Sequence, residues 1–149
     1  NTLTSVDRYC GTSATCCPHF VGVTQETDAV YLTEGVMKSD IAYCLSCELG
    51  CPRAFVGLTG VGNINQFQRA LTELHELGIY RIKVAFDMDA TVNENVRAAR
   101  NRVLETGCDA GFDMTPVAWD PRSKGIDDLL LMIKKNRLNK KSMEEQSVD

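Results

Sequence analysis

Two aspartates with one residue between them, Asp87 and Asp89, end the apolar run Val84-Ala85-Phe86. Side chains two apart on an extended strand point to one face, with Cα atoms about 6.6 Å apart. Such a pair can converge on a single cation. A second account is open at this point, because Asp is favoured in turns and at helix starts and the pair could simply cap the turn into the next helix. Further acidic candidates follow other short apolar runs: Glu34 in Thr33-Glu34-Gly35 and Asp127 in Lys124-Gly125-Ile126-Asp127-Asp128. Carboxylates drawn together repel one another unless some are protonated or a cation intervenes. Mg²⁺ (or Mn²⁺) suits such a group, since Mg²⁺ takes carboxylate oxygen at about 2.1 Å and keeps waters that phosphate oxygens can replace.

Whether these residues meet depends on the elements that carry them. From residue 29 a short apolar run followed by a stretch of helical period occurs four times, with the runs at 30–33, 54–58, 82–86 and 114–119. Apolar runs without polar alternation suit strands buried on both faces of a parallel sheet. The first helix spans 38–49 and ends at Gly50-Cys51-Pro52. Ile64, Phe67, Leu71 and Leu74 give the second its apolar stripe, and Asn63 with Gln66 resembles a capping box. Val96, Ala99 and Val103 mark the third, which stops at Gly107, and Ile126, Leu129, Leu130 and Ile133 mark the fourth. Four such units with right-handed crossovers predict an α/β fold: a three-layer α/β/α sandwich with a mainly parallel four-stranded sheet over residues 29–136. Residues 1–28 read as a lead-in loop with a possible extra edge strand at 19–23, and residues 137–149 as a polar, flexible tail.

Parallel strands end at one edge, and sites in open α/β sheets are built there. Glu34, the Gly57-x-x-Gly60-x-Gly62-Asn63 loop, Asp87, Asp89 and the segment around Lys124 and Asp127 therefore share a rim. The Gly60, Gly62 and Asn63 stretch opens a helix, where backbone N–H groups can meet a phosphate, although glycines also serve any sharp strand-to-helix turn. Two aspartates in the first turn of the last helix are favoured by its dipole alone.

Other groups with chemical potential read more plainly. Cys10, Cys16, Cys17 and His19 could ligate zinc, but their spacing matches no ligand knuckle. Cys44, Cys47 and Cys51 contain a CxxC within a helix, beside Ile41 and Leu45, and are expected to pack as small hydrophobes, since a redox motif belongs at a helix start. The stretch Lys134-Lys135-Asn136-Arg137-Leu138-Asn139-Lys140-Lys141 could touch phosphates, or be a solvated helix end that favours cations.

At 149 residues the chain is one domain, long enough to bury about 68–70% of its unfolded surface without staples. A net charge of -4 and a pI near 5.2 exclude a domain whose whole surface tracks a polyanion. Seven cysteines, no apolar run of membrane-spanning length and no signal-like start point to free thiols and a cytoplasmic location, with no membrane partner. The chain begins at Asn1, not Met, and reads as a portion of something larger.

Thr33-Glu34-Gly35 after the first strand, a Gly-rich loop after the second and Phe86-Asp87-Met88-Asp89 after the third resemble the Toprim domain of primases, topoisomerases and related nucleases. Lys38, Trp119-Asp120-Pro121 and Lys124-Gly125-Ile126-Asp127-Asp128 bring the resemblance closest to the Toprim-like domain of phage, plasmid and conjugative-element replication proteins. The resemblance covers roughly residues 29–135. It implies Mg²⁺ held by Glu34, Asp87 and Asp89, with Glu34 as general acid/base, and phosphoryl transfer on DNA or RNA within a larger replication protein such as a DNA primase. Here the acidic residue expected two positions past the Glu-Gly pair is displaced to Asp40, and the Gly expected shortly after the Asp pair is missing from Ala90-Thr91-Val92-Asn93. Phe86-Asp87-Met88-Asp89-Ala90-Thr91 also fits the haloacid dehalogenase signature, which would make Asp87 a nucleophile on a phosphate ester, but on the third strand instead of the first. A third reading is a non-catalytic module that binds nucleic acid or a partner protein.

Overall fold

The computed structural model describes residues 17–60, 63–87, 94–119 and 122–147. Expectations placed on Cys10, Cys16, Gly62, Asp89 and Asp120 fall outside them. The described residues form a mixed five-stranded sheet and four helices in the order β1 (His19–Val21), β2 (Ala29–Glu34), α1 (Val36–Glu48), β3 (Ala54–Leu58), α2 (Ile64–Leu77), β4 (Arg81–Val84), α3 (Glu94–Asp109), β5 (Asp113–Pro116) and α4 (Ile126–Ser147). The strands lie side by side as β1-β3-β2-β4-β5. β2 to β5 run parallel, as the unalternating apolar runs require, and β1 adds an antiparallel edge through His19 opposite Gly57. The sheet is thus the expected parallel four-stranded one, with the edge strand present.

Strand alternation divides the core into two. Val30, Leu32, Val56, Leu58, Ile82 and Val84 face α2 and α3, where they meet Phe67, Leu71, Leu74 and Val103. Phe55 and Ala85 face α1 and α4, where they meet Ala42 and Ile126, with Tyr31, Trp119 and Leu130 around them. Three layers result. The chain leaves β2 through α1 towards β3 and leaves β4 through α3 towards β5, and these two helices cover opposite faces. The crevice between the carboxyl ends of β2 and β4 is therefore the switch point of the sheet, where α/β folds place their sites.

Several local expectations are corrected. β4 stops at Val84, short of Phe86, so Asp87 stands on chain already leaving the sheet and the same-face rule for strand neighbours does not govern it. β5 ends at Pro116, short of Trp119. α3 runs through Gly107, which is buried because a Cβ there would lie 2.3 Å from Met114 Sδ; the turn falls at Gly111, with φ of 88°. Residues 137–147 of the expected polar tail continue the 22-residue α4, a helix anchored where Lys134 Nζ meets Glu48 Oε2 at 2.5 Å and Arg137 donates to the Leu49 carbonyl at 3.0 Å. Two basic residues of that segment thus serve the C-terminal end of α1, a favourable place for cations.

The cysteines of α1 are also corrected: Cys44, Cys47 and Cys51 are exposed, as is Ile41. The helix turns Ser39, Ala42, Leu45 and Ser46 to the sheet instead. Ser39 and Ser46 satisfy their hydroxyls on carbonyls of their own helix, those of Val36 and Tyr43, and so act as small contact residues. Leu45 is buried as expected, but hydrophobicity missed the rest of the face because it is built from small side chains.

Candidate functional site

Glu34 is the last residue of β2, and its carboxylate reaches across the switch point, where Oε1 accepts from the Asp87 backbone N–H at 2.9 Å. Burial pushes the Glu34 carboxyl above its ordinary 4.5; the negative charge of Asp87 pushes the same way, while the Asp87 N–H and the positive charge of Lys38 oppose it. Lys38, in the first turn of α1, donates from Nζ to Asp87 Oδ1. The chain beyond β4 is thereby tied to β2 by a carboxylate on a backbone donor and to α1 by an ion pair.

The fourth side of the site comes from the start of α4. Gly125 is buried, and a Cβ there would stand 2.5 Å from Asp127 Oδ1, 3.0 Å from Asp87 Oδ1 and 3.1 Å from Lys38 Nζ. All three atoms converge on the space that a side chain at Gly125 would need. Asp127 Oδ1 is buried there with no hydrogen-bond partner among the described residues, a costly state for a carboxylate oxygen. The segment that presents them is held by Trp119, whose indole N–H donates to the Ser123 carbonyl at 2.5 Å, and by Asp128, which accepts from the Gly125 N–H at 3.2 Å.

Glu34, Lys38, Asp87 and Asp127 are thus brought together. Asp40 is not: two residues beyond Lys38, it lies on another side of α1, where its Oδ1 meets His19 Nε2 of β1 at 2.6 Å. That pairing also employs the one histidine of the conjectured zinc group. Lys124 is exposed on the loop before α4. Gly60 and Asn63 follow β3 on the same rim, but Asn63 is engaged locally, its Oδ1 accepting from Gln66 N at 3.1 Å and its Nδ2 donating to Thr59 Oγ1 at 3.1 Å. Only half of the capping box forms. Gln66 is wholly buried and instead accepts from Thr59 N at 2.8 Å while donating to the Cys17 carbonyl at 2.8 Å, which fastens the lead-in chain beneath α2.

Gly125 is the site residue that spacing did not single out; its signal was present only as a small residue between Lys124 and Ile126. Among the described residues no three His, Cys, Asp or Glu side chains form a ready metal cage. Asp87 and Asp127 offer a pair of oxygens side by side against Gly125. That donor set fits an ion of the Mg²⁺ type, which is commonly held by one or two carboxylates and completed by water and phosphate oxygen.

Fold and rim together define an α/β domain with an acidic, lysine-bearing site at the switch point of its sheet. The family model of a domain of unknown function (DUF3854) matches residues 21–137, and the chain belongs to that family. The match takes in every strand from β2 to β5 and the start of α4. No curated protein matches the chain. Among the described residues, no helix is long and apolar enough to cross a membrane.

Proposed function

We propose that the chain is a Toprim-like domain of a mobile-element DNA primase or related replication protein, and that it binds Mg²⁺ at the switch point and acts in phosphoryl transfer on nucleic acid. The observation that carries this reading is the convergence of Asp87 Oδ1 and the unpartnered, buried Asp127 Oδ1 beside Gly125, with Glu34 bonded to the Asp87 backbone. A bound Mg²⁺ would polarise a phosphate oxygen and stabilise the charge that develops on the leaving oxygen. Asp87 and Asp127 would hold it, with Asp89 as the further candidate that the resemblance supplies. Glu34, its proton affinity raised by burial, is suited to move a proton at the reacting oxygen, since a carboxyl with a raised pKa is the better matched acid/base near neutral pH. The acidic balance of the whole chain favours a metal-mediated contact with nucleic acid over a broad basic surface.

Incubation with Mg²⁺ or Mn²⁺, a labelled single-stranded template and nucleotides tests the reading. Metal-dependent extension or cleavage, lost in Asp87→Asn and reduced in Glu34→Gln, is the expected result. Turnover of a small phosphate ester through a trapped phosphoryl group on Asp87, with no activity on nucleic acid, would overturn it in favour of the phosphatase reading. Metal-dependent binding of the template without chemistry in the wild type would leave a binding module of a larger protein.

A further inference from the structure

Lys38 stands where an arriving cation would have to compete. Its ammonium and Asp87 form an ion pair in which the side chains are 21% and 13% exposed, so both partners are largely withdrawn from water. The same ammonium lies against Gly125, beside which Asp127 Oδ1 is buried without a partner among the described residues. An ammonium and a divalent cation that share one carboxylate oxygen in such surroundings repel strongly. Lys38 also sits in the first turn of α1, which holds no acidic residue, and a cation at a helix N-terminus is disfavoured by the dipole. Asp87 compensates for that position only while its oxygen is available to Lys38.

We propose that Lys38 is an exchangeable counter-ion: it neutralises Asp87 in the cation-free protein, and when a divalent cation takes Asp87 the lysine transfers to a phosphate of the nucleic-acid strand. The inference rests on the proposed cation site and adds how that site is regulated. The flexible four-carbon stem of lysine permits the transfer, and the N–H groups at the start of α1 favour an anion nearby. Cation and phosphate then assist one another, because whatever draws Lys38 off Asp87 opens the oxygen to the metal. By linkage the assistance is reciprocal.

The experiment titrates Mn²⁺ into the wild type, Lys38→Met and Lys83→Met, with and without a 5′-phosphorylated single-stranded DNA oligonucleotide. Lys83, which lies over the Tyr31 ring, is the control lysine outside the site. Lys38→Met is expected to bind Mn²⁺ roughly ten-fold more tightly than the wild type, the effect of removing one charge-assisted competitor. The oligonucleotide is expected to tighten Mn²⁺ binding in the wild type and in Lys83→Met but not in Lys38→Met. Circular dichroism verifies folding, and Lys38→Gln replaces the methionine variant if that one does not fold. Equal or weaker Mn²⁺ binding by Lys38→Met overturns the exchange while leaving the cation site standing. Binding by neither protein removes the site and the exchange together, whereas binding by Lys38→Met alone supports the lysine as the competitor.

Discussion

The two faces of the sheet are packed on different terms. Under α2 and α3 the contact is made by bulk: Phe67, Leu71 and Leu74 press on Leu32, Leu58 and Ile82, and the apolar stripe of α2 is plain in its sequence. On the other face α4 brings Ile126 and Leu130 to Phe55, but α1 makes its contact mainly through small residues, with Ser39, Ala42 and Ser46 set against a strand that carries Gly57. A Cβ on Gly57 would stand 2.8 Å from Ser39 Oγ and 3.2 Å from Val36 Cα, so the start of α1 lies close against β3. Bulk holds a helix at a distance, while small residues let it descend. That descent carries Lys38 down to Asp87, and the site therefore belongs to the face on which the start of α1 packs through small side chains.

Two core substitutions separate those roles. Phe67→Ala removes a fully buried ring and is expected to cost about 3–5 kcal/mol in urea melts, without changing Mn²⁺ affinity of the folded protein. Gly57→Ala is expected to cost about 1–3 kcal/mol by overpacking, and in addition to tighten Mn²⁺ binding, because lifting the start of α1 draws the competing Lys38 off Asp87. Equal effects of the two variants on Mn²⁺ affinity would erase the distinction between the faces.

A smaller effect sharpens the account of the rim. Because the folded-state pKa of Glu34 is raised, the native protein binds more protons than the unfolded chain between pH 4.5 and that raised value. The associated stability is fully present below pH 4.5 and is lost as pH rises through the folded pKa. Glu34→Gln cannot titrate and still offers an oxygen to the Asp87 N–H. In metal-free buffer it is therefore expected to gain on the wild type from pH 4.5 upward, with melting temperatures converging at lower pH. A constant difference across pH would mean that burial of the charge is not what matters at this position.

The parallel sheet was legible because β3 is an unbroken apolar run buried on both faces, while β2 and β4 bury Val30, Leu32, Ile82 and Val84 on one face and keep Tyr31 and Lys83 half-covered on the other. The rim was legible by topology, since parallel strands deliver Glu34 and Asp87 to one edge whatever their loops do. The face of α1 was not legible, because serine and alanine leave no hydrophobic trace of burial. The pairing of Lys38 with Asp87 spans 49 residues and left none either, nor did the diversion of Asp40 to His19. Gly125 was hidden for a further reason: its contribution is the absence of a side chain, which becomes visible only when Asp87, Asp127 and Lys38 surround it.

The proposed divalent cation at the switch point depends on the carboxylate of Asp87. Electron paramagnetic resonance of free Mn²⁺, titrated against the wild type and Asp87→Asn, tests it most directly, with thermal or urea melts run in parallel. One saturable site in the wild type is predicted, with a stabilisation of about 2.7 kcal/mol at a hundred-fold excess over Kd, and neither is expected in Asp87→Asn. Equal and negligible binding by both proteins would contradict it.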